Sequence, residues 1–124
     1  MAKILVVDDN PLNATLARLQ LAHAGHDVAV EPSGAAALAR LDVERPDLVL
    51  TDIAMPGMSG VDLLDAIRAR SGLRTLPVLA HTSFAVPVQQ AAFRRAGFDA
   101  IVVKPATREA LVAAVDHALG RGAR

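Results

Sequence analysis

The chain contains no cysteine, tryptophan or tyrosine, and only three phenylalanines. Without cysteine there is no disulfide, no thiol nucleophile and no Cys-ligated zinc or iron–sulfur centre. Without tryptophan or tyrosine, a base-stacking platform for single-stranded nucleic acid is not expected. A charge surplus is also missing: 13 Lys+Arg face 13 Asp+Glu, for a formal net charge of zero. Nucleic-acid binders usually carry a basic excess, so direct contact with nucleic acid is not expected. Long apolar runs are absent too. The longest uncharged stretch, Thr75–Phe93, holds Pro77, His81, Thr82, Ser83, Pro87, Gln89 and Gln90, and is too polar to span a bilayer. The start of the chain reaches Asp8 after four apolar residues, Ile4–Val7, which is short for a signal peptide. The expectation is a cytoplasmic protein with no membrane insertion.

What is present suits one domain. There are 124 residues, 52% of them hydrophobic. Alanine supplies 25 of the apolar residues, leaving 40 larger ones, enough for a core and unlike a disordered chain. Short β-branched runs read as buried strands at Lys3–Val7, Asp27–Glu31, Leu48–Thr51, Val78–Thr82 and Ala100–Val103. They are apolar on both faces, as in a parallel sheet covered on both sides. Helical spacing fills the intervals. Leu12, Leu16 and Leu19 form a stripe behind Asn10 as cap and Pro11, read here as core, and Gly25 ends that helix. Further helices are expected near 34–42 behind Ser33, near 60–70 with Val61, Leu64, Ala66 and Ile67 for burial, near 87–95 ending at Gly97, and near 107–119 behind Thr107. The alternation predicts a flavodoxin-like, doubly wound (βα)5 fold with strand order 2-1-3-4-5. The domain should occupy residues 1–120, with 121–124 as a short tail.

In such sheets ligands sit beyond the carboxyl ends of the strands. Those ends read Val7-Asp8-Asp9, Thr51-Asp52, His81-Thr82-Ser83 and Val103-Lys104-Pro105. In the expected order, three carboxylates, a hydroxyl and an ammonium share one edge. Clustered carboxylates call for a hard cation, and oxygen-only ligation suits Mg²⁺. A lysine and a hydroxyl opposite can hold phosphoryl oxygens, and an aspartate can act as nucleophile to form an acyl phosphate. Taken singly, each residue has a plainer reading: Asp8 and Asp9 as helix cap, Asp52 as turn residue, Lys104 as surface lysine, Thr82 as strand end. Lysine is nevertheless scarce, two against eleven arginines. The four histidines, His23, His26, His81 and His117, show no metal spacing and read as structural.

The strings Ile4–Asn10, Asp47–Asp52, Met55–Gly60 and Val102–Pro105 resemble the receiver domain of two-component response regulators, from Lys3 to about Leu119. The resemblance implies that Asp52 is the phosphoacceptor, that Asp8, Asp9, Asp52 and the backbone carbonyl of Ala54 bind Mg²⁺, and that Thr82 and Lys104 contact the phosphoryl group. It implies a cis bond at Lys104–Pro105. It also implies a histidine kinase or phosphotransfer protein as donor, docking beside Pro11–Ala14, an unknown downstream protein, and no enzymatic activity beyond the domain's own phosphorylation and dephosphorylation. Many receivers carry an aromatic residue three positions before the strand-five lysine and a Phe after the Lys-Pro pair. Here those positions are Ile101 and Ala106, so output is expected through 83–87 and the fourth helix. The competing readings are an aspartate-nucleophile phosphatase or phosphotransferase, an unphosphorylated receiver-like docking module, and an FMN-binding protein. The first lacks its second aspartate at Ala54, and the last lacks aromatic residues to sandwich a flavin.

Overall fold

The computed structural model describes residues 2–122. The element order is β1 (Lys3–Val7), α1 (Pro11–His23), β2 (Asp27–Glu31), α2 (Gly34–Leu41), β3 (Leu48–Thr51), α3 (Gly60–Arg68), β4 (Val78–Thr82), α4 (Pro87–Ala96), β5 (Ala100–Val103) and α5 (Arg108–Gly122). The five strands are parallel, in the order β2-β1-β3-β4-β5. Helix starts follow local chemistry. The Asn10 side chain accepts hydrogen bonds from the Leu12 and Asn13 N–H groups, Ser33 accepts from Ala36, and Thr107 accepts from Ala110. Ser59 and Asp62 form a reciprocal capping box at α3. Gly97, in the left-handed region at φ 115°, closes α4. α5 runs to Gly122, so the expected tail is helical over its first two residues, and the other two lie outside the described residues.

Alternation along the strands divides the core into two layers. Leu5, Val7, Val49, Val78 and Ala80 pack with Leu63, Leu64 and Ile67 of α3 and Ala37 of α2. Ile4, Val6, Leu48, Leu50, Leu79 and Val102 pack with Ala17 and Leu21 of α1 and Leu111 and Val115 of α5. α4 contributes no fully buried residue. In α3, Leu63 is buried with Leu64 and Ile67, whereas Val61 and Ala66 are only half-buried.

Helix α1 overturns one expectation. Leu12, Leu16 and Leu19 are 81%, 53% and 53% exposed, and Ala14, Ala17 and Leu21 are the buried residues. At about 100° per residue the two sets lie on opposite sides of the helix. The small side chains of Ala14 and Ala17 let the helix settle against the sheet, and Leu21 supplies the single large contact. The leucine stripe is therefore surface, not core.

One polar side chain enters the α1/α5 layer. His81 is only 8% exposed, and its pKa is lowered to about 4, chiefly by burial, with the Lys104 ammonium adding to the shift and the Asp8 carboxylate opposing it.

Two stability measurements follow. Leu21→Ala should cost about 2–5 kcal/mol in urea unfolding, and Leu16→Ala less than about 0.5 kcal/mol; the reverse ranking would restore the stripe to the core. His81 governs a pH effect. The unfolded chain takes up the imidazole proton near the ordinary 6.5 and the folded chain only near 4, so stability is lost as pH falls through that window. Between pH 7.5 and pH 5 the loss from this group should be about 2 kcal/mol. His81→Leu should remove that increment from the urea midpoints, and an unchanged pH slope in the variant would refute the assignment.

Candidate functional site

The ladder hydrogen bonds run one residue past the strands and set the site. The Asp8 N–H donates to the Glu31 carbonyl at 3.2 Å, Asp52 to Val7 at 2.9 Å, and Lys104 to Thr82 at 2.8 Å. Three side chains from three strand ends are thus pinned by backbone along one edge of the sheet. Asp8 is buried, Asp52 half-buried and Asp9 exposed, and one carboxylate oxygen from each lies within 4.8 Å of the others.

Each buried charge has partners. Asp8 Oδ1 accepts from the Asn10 N–H at 2.9 Å, and its Oδ2 accepts from Lys104 Nζ at 2.7 Å. Asp52 Oδ1 accepts from the Ile53 N–H at 2.8 Å, and its Oδ2 lies 3.5 Å from Lys104 Nζ. The ammonium, with its side chain 12% exposed, bridges the two aspartates. The Asp52 pKa is raised above the usual carboxylate value, first by burial and then by the Asp8 charge, while Lys104 and the Ile53 N–H pull it down. The sequence placed these residues on one edge, and the structure brings all four together.

The other expected participants are positioned differently. Thr82 is buried, and its hydroxyl accepts from the Phe84 N–H at 3.0 Å. Among the described residues the hydroxyl makes no hydrogen bond to Asp8, Asp52 or Lys104. Ala54 lies exposed two residues beyond Asp52, and among the described residues no backbone N–H donates to its carbonyl. The Lys104–Pro105 bond is cis.

The sequence shows Gly60 as a helix start and as the end of the Met55–Gly60 string, with no role at the site. A Cβ there would stand 2.2 Å from the Asp52 carbonyl oxygen and 2.9 Å from Ile53 Cα. The Gly60 N–H donates to the Ile53 carbonyl at 2.8 Å. The β3–α3 loop is thereby folded directly onto the backbone that carries Asp52. A glycine at the first position of a helix, where none of the usual turn requirements applies, was the available signal.

A carboxylate pressed against an ammonium and two further carboxylates is a group held ready for a cation and an oxyanion. The donor set, three carboxylates and a free carbonyl without nitrogen or sulfur, fits Mg²⁺. No helix among the described residues is long and apolar enough to cross a membrane.

Comparison with known proteins bears on this geometry. The sequence profile of the response regulator receiver domain matches residues 4–116. The chain is 39% identical over 119 residues to the DNA-binding response regulator MtrA of Mycolicibacterium smegmatis, covering 96% of this chain and 51% of that one. It is 31% identical over 117 residues to the polar-differentiation response regulator DivK of Brucella anthropi, covering 94% and 95%. It thus spans about half the length of MtrA and nearly all of DivK. A crystal structure of a putative response regulator from Chloroflexus aurantiacus superposes with a TM-score of 0.92 at 31% identity, covering 97% of this chain and 98% of that one. Sequence, fold and the acidic edge with its lysine agree: the chain belongs to the response regulator receiver domain family of two-component signalling.

Proposed function

We propose that Asp52 accepts a phosphoryl group from a phosphohistidine of a histidine kinase or phosphotransfer protein, in a cytoplasmic signalling switch. The observation that carries this reading is the placement of Asp52 Oδ2 3.5 Å from Lys104 Nζ and beside the Asp8 and Asp9 carboxylates. In the transfer a carboxylate oxygen of Asp52 forms a bond to phosphorus, and the bond from phosphorus to the imidazole nitrogen breaks. The product is an acyl phosphate, and the electron pair leaves with the donor histidine. Lys104 can follow the new phosphoryl oxygens, because its ammonium already spans Asp8 and Asp52. Asp8, Asp9, Asp52 and the Ala54 carbonyl would hold Mg²⁺, which when bound neutralises the carboxylates and shares phosphoryl oxygens. Thr82 would exchange its bond to the Phe84 N–H for one to the phosphoryl group. Ala54 stands where a phosphatase of the aspartate-nucleophile class needs its second aspartate, which disfavours catalysis on small substrates. The absence of aromatic partners for a flavin argues against an FMN carrier.

The output follows from what Thr82 is attached to. Its hydroxyl holds the loop that leads through Phe84 into α4, a helix that buries no residue fully. The Phe84 ring packs on Phe93 at a centroid distance of 6.0 Å, and Phe93 meets Phe98 edge-on at 6.4 Å. Ile101, β-branched and stiff at χ1, cannot swing as an aromatic ring would. A downstream protein would therefore read the position of residues 83–97.

Two measurements decide these points. Incubation with acetyl phosphate and Mg²⁺ should give a single phosphoryl adduct, mapped to Asp52 by mass spectrometry and absent in Asp52→Asn. Full labelling of that variant would move the acceptor elsewhere. Hydrogen exchange with and without beryllofluoride and Mg²⁺ should show its protection changes beyond the acidic edge mainly in 83–97, where local opening is easiest. Changes confined to α1 would rule out this route.

A further inference from the structure

Sulfur is scarce in this chain and confined to one loop. There is no cysteine, and among the described residues the only sulfur atoms are those of Met55 and Met58, both in the β3–α3 loop that follows Asp52. The two side chains are half-buried and pack against the core layer beneath α2 and α3. Met58 has a seat of its own. A Cβ on Gly34, the first residue of α2, would stand 2.6 Å from the Met58 Sδ and 2.9 Å from its Cγ. The thioether therefore lies in the notch left by that missing side chain. Gly34 is buried and has no positive φ, so the close approach of Met58 is what asks for glycine there.

This contact holds the loop from the side of α2. On the other side the Gly60 N–H closes on the Ile53 carbonyl at 2.8 Å, and the capping box ties Ser59 to Asp62. Ala54 lies in the span between Ile53 and Met58. Asp8 and Asp52 are fixed by the sheet ladder, whereas the Ala54 carbonyl takes its position from the loop alone.

We propose that Met58 is an oxidation site, and that its sulfoxide releases the β3–α3 loop from α2 and weakens the hold of the acidic edge on a divalent cation. The inference rests on the Mg²⁺-dependent acceptor reading of Asp52.

The oxidant is hydrogen peroxide. The sulfur lone pair forms a bond to one peroxide oxygen and the O–O bond breaks. The proton on the transferred oxygen passes to the departing hydroxide, which leaves as water. The thioether is oxidised by two electrons and the peroxide reduced by two. No thiol in the chain competes for the reagent. The product is polar where the thioether was apolar. Its oxygen needs a hydrogen-bond donor, yet the seat is Gly34 and the apolar side chains of the core layer. It also needs volume where the sulfur already lies in contact. The half-exposed side chain can escape to water, and the loop then keeps its anchor at Gly60 and loses the one at Gly34. The sheet is untouched, so the site should lose affinity rather than collapse.

Peroxide treatment of the whole chain, followed by peptide mass mapping and an amide chemical-shift titration with Mg²⁺, tests the latch. Treated wild-type protein should carry an added oxygen on Met58 and bind Mg²⁺ about tenfold more weakly, with slower acetyl phosphate labelling of Asp52. Methionine sulfoxide reductase should restore both. Met58→Leu keeps the shape without the sulfur and should hold its Mg²⁺ affinity through the same treatment within about twofold. Met55→Leu should lose affinity as the wild type does. Gly34→Ala expels the thioether without any oxidant and should weaken Mg²⁺ binding to a similar extent. Oxidised Met58 with unchanged Mg²⁺ affinity overturns the proposal, and so does an equal loss in treated Met58→Leu. A Gly34→Ala protein that binds Mg²⁺ as the wild type does overturns the seat. Untreated wild-type protein that neither binds Mg²⁺ nor takes label from acetyl phosphate would reject the acceptor reading itself, whereas normal labelling that oxidation leaves intact rejects only the latch.

Discussion

Three carboxylates within 4.8 Å of one another repel, and a single ammonium stands against them. The arrangement persists because neither side can withdraw. Asp8 and Asp52 are tied by backbone hydrogen bonds to Glu31 and Val7, and Lys104 is tied to Thr82. The sheet ladder thus forces together groups that in water would separate. Burial and the Asp8 charge raise the Asp52 pKa while Lys104 lowers it, so the Asp52 carboxylate is set by opposing influences rather than fixed by one. Such a balance responds to an added cation or oxyanion, which is the requirement for a switch.

The sequence carried the strands and the acidic edge plainly, and it misled on α1. The central strands β1, β3 and β4 are buried on both faces and leave continuous apolar runs with sharp ends; the edge strands β2 and β5 are only partly buried, yet all five were legible at their observed bounds. Because Asp8, Asp52 and Lys104 directly follow such ends, their convergence was legible as well. The α1 error has a physical origin. Apolar periodicity assigns the larger side chains to the core, yet this helix lies close to the sheet through Ala14 and Ala17 and turns its leucines outward. Burial there depends on interlayer distance, which no single helix encodes. The same outcome moves any surface charge probe of donor docking away from Ala14, which is 4% exposed, to Leu12, Leu16 or Leu19.

His81 and Gly60 escaped for a different reason. A lone histidine in a strand and a glycine at a helix start carry no pattern of their own. His81 lines a cavity with Asn13, Gln20 and Ala106, residues that lie far from it in sequence and meet across α1 and the β5–α5 connection. The Thr82 hydroxyl shows the same limit: composition identifies the group, and only the folded loop shows that it is bonded to the Phe84 N–H.

The contact at Gly60 constrains how this chain can diverge. Any side chain at that position displaces the Asp52 carbonyl, so the nearest mutational neighbours of the sequence at residue 60 all disturb the backbone that carries Asp52. Elsewhere in the β3–α3 loop, exposed positions such as Pro56 can drift without that effect. Gly57 in the same loop, at φ 75°, is held to glycine by its backbone and Gly60 by its neighbours, so descendants of this sequence would be expected to vary around these two positions rather than through them.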